Sequence, residues 1–201
     1  MAATRPALYQ AAAHCLDYPD ADFLERLPLL RECAPELRPF LDYAASVELA
    51  ELARNYVSCF DFRKRHCLHL TWWMDGDTRR RGESLVAIKQ AFRDHGLELQ
   101  TGELPDYLPA ILEFAAATGS IDLLVEHRPG LELLRLALVE QHDPYANVLQ
   151  AVCATLPGAS PKDQAAARAL ARSGPRSETV GVAPYGHLDL LPILTTTGDR
   201  R

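Results

Sequence analysis

Apolar residues recur along most of the chain at three- and four-residue steps, the period that lines one face of an α-helix. Over residues 46–61 the apolar positions are Leu49, Ala53, Tyr56, Val57 and Phe60, and over 77–94 they are Leu85, Ile88 and Phe92. Leu108, Ile111, Leu112 and Ala115 repeat the pattern, as do Leu131, Leu134 and Leu138, with Gln141 one step further. Gly96 and Gly119 stand where the second and third of these helices should stop. Asp143-Pro144 and Ser160-Pro161-Lys162-Asp163 read as helix starts, a capping side chain followed by a proline in the first turn. Pro129-Gly130 predicts a break or kink in whatever Ser120 begins. Only residues 67–74, CLHLTWWM, have the composition of a strand. A lone strand would leave its backbone groups unpaired, which predicts helix or ordered loop there. The pattern therefore gives an all-α fold, one globular domain of seven to nine helices over residues 1–175. Residues 176–201 carry Pro184, Gly186, Pro192 and Gly198 without a period and read as an extended tail, whose Leu188, Leu190, Leu191, Ile193 and Leu194 could still dock.

Composition narrows the class. The 201 residues are 48 % hydrophobic and 24 % charged, a globular balance. The longest apolar stretch, 131–139, contains Glu132 and Arg135, far from the ~20 apolar residues of a membrane span. Residues 1–14 carry a single Arg and no apolar core of signal-peptide length, so they read as the start of a helix. A cytoplasmic protein without direct membrane insertion is expected. The net charge of −6, from 21 basic and 27 acidic residues, argues against nucleic acid as partner. That charge is uneven. Residues 1–61 hold 5 basic and 10 acidic residues, net −5, and residues 62–95 hold 8 and 4, net +4. Residues 96–150 hold 2 and 9, net −7. Acidic helical segments suit a partner that carries Lys or Arg on an amphipathic segment. A solvated surface with uneven statistics gives the same numbers, so charge alone leaves both readings open.

Candidate chemistry is sparse. The chain has no G-x-G-x-x-G, no G-x-x-x-x-G-K-[ST] and no G-x-S-x-G, so neither a phosphate cradle nor a nucleophile elbow is visible. His66-Cys67-x-His69 gathers three potential metal ligands, but no second cluster completes a zinc site. The five cysteines, 15, 33, 59, 67 and 153, contain no C-x-x-C and read as buried thiols in a reducing compartment. Asp75-Gly76-Asp77 reads as a turn with Asp77 capping the next helix. Arg79-Arg80-Arg81 then opposes the helix dipole and needs compensation, for which Asp75, Asp77 and Glu83 are at hand. Glu103-Leu104-Pro105-Asp106-Tyr107-Leu108-Pro109 is the stiffest stretch, with Asp106 or Thr101 placed to cap a helix. It serves equally as an inter-helix corner or as the rim of a groove.

Several of these stretches coincide with one family. Tyr56-Val57…Phe60-Asp61, Leu68-x-Leu70-Thr71 and Gly76-Asp77-Thr78-Arg79-Arg80-Arg81-Gly82 resemble the NarJ/NarW family, and so does 103–109 with Leu112-Glu113-Phe114-Ala115. These proteins are the molybdenum-cofactor assembly chaperones of respiratory nitrate reductase, its delta subunit. The resemblance covers about residues 5–155; Trp72-Trp73 departs from it, and the tail after Gly174 lies beyond it. It implies an all-helical chaperone, not an enzyme, with no tightly held cofactor. Its implied partner is the apo catalytic (alpha) subunit, held through its N-terminal segment during molybdenum-cofactor and iron–sulfur insertion. Docking to the membrane is delayed meanwhile. Molybdenum-cofactor biosynthesis proteins are further implied partners.

The residue pattern and the resemblance together place a client groove between the helices at 46–61 and 105–117. Tyr56, Phe60, Trp73, Leu108 and Leu112 are the expected apolar contacts, Asp106 and Glu113 the acidic ones, and Pro105 and Pro109 the rigid corner. Asp77, Arg79 and Arg81 are expected to stabilise the rim or touch the client's folded body. Two other readings stand beside this one: a sibling chaperone for another molybdoenzyme of the dimethyl sulfoxide reductase class, and a metal-dependent hydrolase using His66, His69 and Asp75.

Overall fold

The computed structural model describes residues 5–99 and 102–173. The expected tail and the domain boundary at 175 lie outside the described residues. The helices run in chain order: α1 (Pro6–Leu16), α2 (Ala21–Cys33), α3 (Arg38–Ser46), α4 (Leu49–Phe60), α5 (Leu70–Asp75), α6 (Arg79–Asp94), α7 (Leu108–Thr118), α8 (Asp122–Glu126), α9 (Arg128–Glu140), α10 (Ala146–Cys153) and α11 (Gln164–Ser173). Pro35–Leu37 and Lys64–His66 are single 3-10 turns. The fold is all-α, as the periodicity predicts. Two of the eleven described helices, α5 and α8, have six and five residues, too short to show a period of their own.

Two helix pairs organise the core. α1 lies along α7 in the most extensive contact of the molecule. Both contribute small side chains, Ala11, Ala12 and Ala13 from one and Ala115 from the other, all buried, which lets the two axes approach. The second centre is α9, on which α5, α10 and α11 pack. Leu131, Leu134 and Leu138 face inward from it with no exposed surface.

The helix ends show which local signals decide. Asp20 caps α2, its side chain accepting from Phe23 N–H at 2.8 Å. Gly119 closes α7 in the left-handed conformation (φ 73°), which glycine adopts without a Cβ penalty. Asp143 accepts from Tyr145 N–H at 3.0 Å just before α10. Three expectations need correcting. The residue before α6 is Thr78, whose side chain makes no cap, and Asp77 is exposed in the preceding turn. Asp163, not Ser160, caps α11, accepting from Ala166 N–H at 2.8 Å, because Ser160 is drawn away to donate to Glu132 at 2.7 Å. The break between α8 and α9 falls at His127, so Pro129 occupies the first turn of α9 and Gly130 lies inside it. Gly130 is there for space: a Cβ would stand 2.8 Å from the Cβ of Trp73. That contact seats α5 on α9.

Candidate functional site

Residues 67–69 run extended into α5 and cross the stretch that leads into α7. Leu70 N–H donates to Asp106 O and Leu108 N–H to Leu68 O, each at 2.9 Å. The Asp106 side chain has no exposed surface. Its carboxylate accepts from Thr71 Oγ1, from Thr71 N–H at 3.3 Å and from His69 Nδ1 at 3.0 Å, while Arg81 Nη2 stands 3.6 Å away. Arg81 Nε also donates to Thr71 Oγ1 at 3.2 Å. Burial, the largest single influence, would raise the Asp106 pKa; the hydrogen bonds from His69 and Thr71 and the charges of His69 and Arg81 together outweigh it. The carboxyl is held below its usual range. The Leu68–Thr71, Gly76–Gly82 and Glu103–Pro109 stretches thus converge on one buried carboxylate, whose polar partners offset its desolvation. Arg80 is mostly exposed and reaches only to 4.0 Å from Asp75.

The corner fixed by Asp106 aims the outer face of α7 at a cleft of about 660 Å³. α1, the end of α6 with the segment after it, and α7 form its walls. Phe92, Leu97, Leu99, Pro109, Ala110, Phe114 and Ala117 supply apolar lining. Asp17, Glu98, Glu103 and Glu113 supply four carboxylates, and no Lys or Arg is among the described lining residues. Tyr107 joins this cleft to α4. Its hydroxyl lies 3.3 Å from Asp17 Oδ1 and 3.1 Å from the Tyr56 hydroxyl, which lies 3.1 Å from Leu16 O. Two hydroxyl protons therefore serve three oxygen contacts. Burial pushes both phenols above their ordinary pKa, so they stay protonated and neutral.

Residues 27–151 match the family described as nitrate reductase delta subunit. The chain belongs to that family. It is 42 % identical over 106 residues to the nitrate reductase-like protein NarX of Mycobacterium tuberculosis, a match covering 51 % of this chain and 16 % of NarX. It is 30 % identical over 164 residues to the probable nitrate reductase molybdenum cofactor assembly chaperone NarJ of Bacillus subtilis, covering 76 % of this chain and 89 % of that protein. Over 145 residues it is 30 % identical to the NarJ of Escherichia coli K12, covering 65 % and 61 %.

In this delta-subunit family member the residues expected at a groove separate into three places. Pro109 and Glu113 line the cleft. Leu108 and Leu112 are fully buried beneath it, and Pro105 and Asp106 are buried in the corner. Tyr56 and Phe60 pack inward on Tyr145, ring centroids 6.0 and 4.9 Å away. Trp73 is half-buried against α9 and donates from Nε1 to Cys67 O at 2.9 Å. Asp77 and Arg79 are exposed on the α5–α6 side, while Arg81 serves Asp106. The cleft beside α7 is lined by α1 and the end of α6, and none of its described lining residues belongs to α4. Asp17, Glu98, Glu103, Phe92 and Phe114 line the cleft without having been expected at a groove, because a cleft depends on which helices adjoin. The acidic balance of residues 96–150 was the available signal for Glu98 and Glu103.

His66 and His69 have other occupations. His66 is buried with Nδ1 3.1 Å from Cys59 O, and burial lowers its pKa despite that hydrogen bond. His69 is committed to Asp106. No group of three or more His, Cys, Asp and Glu among the described residues is arranged to hold a metal ion. Cys15, Cys59 and Cys153 are buried, and burial pushes Cys153 up to about 12. Cys33 is exposed, contrary to the expectation for all five.

Proposed function

We propose that this protein is a cytoplasmic assembly chaperone for a respiratory nitrate reductase. It holds the N-terminal segment of the apo catalytic subunit while molybdenum cofactor and iron–sulfur centre are inserted, and it delays membrane docking until then. The observation that carries this reading is the cleft, lined by apolar side chains and four carboxylates with no Lys or Arg among the described lining residues. Such a surface selects an amphipathic segment that buries apolar side chains and presents Lys or Arg at its edge. Family membership and the names of the NarJ relatives support the same class of client. The rigid corner at Asp106 supports a preformed site, which reduces the ordering cost of binding. The role requires no catalytic group of the chaperone's own.

Co-purification tests this reading. Tagged chaperone is recovered from nitrate-respiring cells that express the catalytic subunit either whole or without its N-terminal segment. The whole subunit should be retained in its cofactor-free form and the shortened one lost. Equal recovery of both would contradict the assignment.

A further inference from the structure

Between α4 and α5 the chain turns through residues 61–66, DFRKRH. Phe62 is 81 % exposed, more than any other large apolar side chain among the described residues. Arg63, Lys64 and Arg65 follow it, each exposed, and none forms an ion pair among the described residues. The loop is nonetheless built. His66 is buried, its N–H donates to Arg63 O at 2.8 Å, and its ring is hydrogen-bonded to Cys59 O at the end of α4. One aromatic and three adjacent cations are thus presented together from a fixed support.

We infer that this loop is a peripheral contact site for an anionic lipid surface. Phe62 enters the headgroup region, where an apolar ring leaves water, and Arg63, Lys64 and Arg65 lie against lipid phosphates. Phe62, Arg63, Lys64 and Arg65 are all exposed, so one planar surface can meet the four together. Asp61 at the start of the loop is its one carboxylate, which leaves residues 61–66 with three cations against one anion, net +2, to set beside lipid phosphates. A nucleic-acid strand would have to continue past the loop along a chain of net charge −6, which disfavours it. With one aromatic and three cations the contact falls short of the two signals that stable anchoring requires, so it is reversible and salt-sensitive. It is separate from the acidic cleft and does not depend on the client assignment.

The test is co-sedimentation of the full chain with vesicles of phosphatidylcholine alone or mixed with phosphatidylglycerol. The chain should sediment with the mixed vesicles at low salt, stay in solution with phosphatidylcholine alone, and be released at high salt. Lys64→Glu should lower the bound-to-free ratio about fivefold or more. Phe62→Ser should lower it in both low and intermediate salt, since its contribution is not electrostatic. Both positions are exposed, and circular dichroism confirms that the variants fold. Failure of the wild-type chain to bind mixed vesicles at low salt would overturn the inference, as would undiminished binding by the doubly substituted chain. Stronger loop-dependent binding to a single-stranded oligonucleotide than to the vesicles would overturn it too, by assigning the loop to nucleic acid.

Discussion

Asp106 shows how one side chain can join distant stretches of a sequence. It sits 35 residues from Thr71 in the chain and is hydrogen-bonded to it. Arg81 is 24 % exposed and pairs with the same carboxylate. Asp106→Ala removes the anion paired with Arg81 and leaves the buried Thr71 N–H without its acceptor. It should lower stability in urea unfolding by about 3–5 kcal/mol, and Asp106→Asn, which keeps an acceptor, by less. Gly130 gives a prediction of unusual sign. Replacing glycine by alanine inside a helix ordinarily gains up to ~1 kcal/mol. Here the added methyl meets Trp73, so Gly130→Ala should destabilise by about 1–3 kcal/mol in the same measurement. Neither role was legible in the sequence. The periodicity shows that a corner stands at Pro105–Pro109, but a carboxylate's burial depends on what packs over it.

At the scale of elements, α7 divides its labour between two faces. Leu108, Ile111, Leu112 and Ala115 are buried inward, and Pro109, Ala110, Glu113 and Ala117 line the cleft. Leu112→Ala should therefore cost about 2–5 kcal/mol of stability while the folded fraction still binds a client peptide. Glu113→Lys should change stability by no more than about 0.5 kcal/mol and weaken the peptide markedly. Unfolding curves and peptide titrations on the same two variants separate these outcomes. The helices themselves were legible. The expected spans at 46–61 and 77–94 correspond to Leu49–Phe60 and Arg79–Asp94, since an amphipathic stripe survives whatever neighbour covers it. Short helices escaped because α5 and α8 draw their stability from packing rather than from a stripe. Which helix faces α7 across the cleft was not legible either, because periodicity records that a face is buried and not against what.

For the whole molecule, two buried histidines tie stability to pH. Burial lowers the pKa of His66, with Cys59 O and Asp143 opposing and Arg63 adding to it. Burial likewise lowers His127, whose Nδ1 has no hydrogen-bond partner among the described residues, with Glu126, Asp106 and Asp75 opposing. Below the unfolded pKa of about 6.5 the unfolded chain binds more protons than the folded one, so stability falls as pH drops. Thermal melts should show a lower Tm at about pH 5.5 than at about pH 7.5. Asp106, depressed in the fold, adds a separate loss only as pH falls below about 4. Charge is also where sequence and structure meet at this scale. The acidic balance of residues 1–61 and 96–150 becomes Asp17 from one segment and Glu98, Glu103 and Glu113 from the other around a single cleft. The central claim is that this ring of carboxylates recognises the client, and calorimetric titration with a synthetic peptide of the catalytic subunit's N-terminal sequence tests it most directly. Glu98→Lys combined with Glu113→Lys should weaken binding at least ~10-fold, with Arg79→Glu within about twofold of wild type. Unchanged affinity in the doubly reversed cleft would contradict the account.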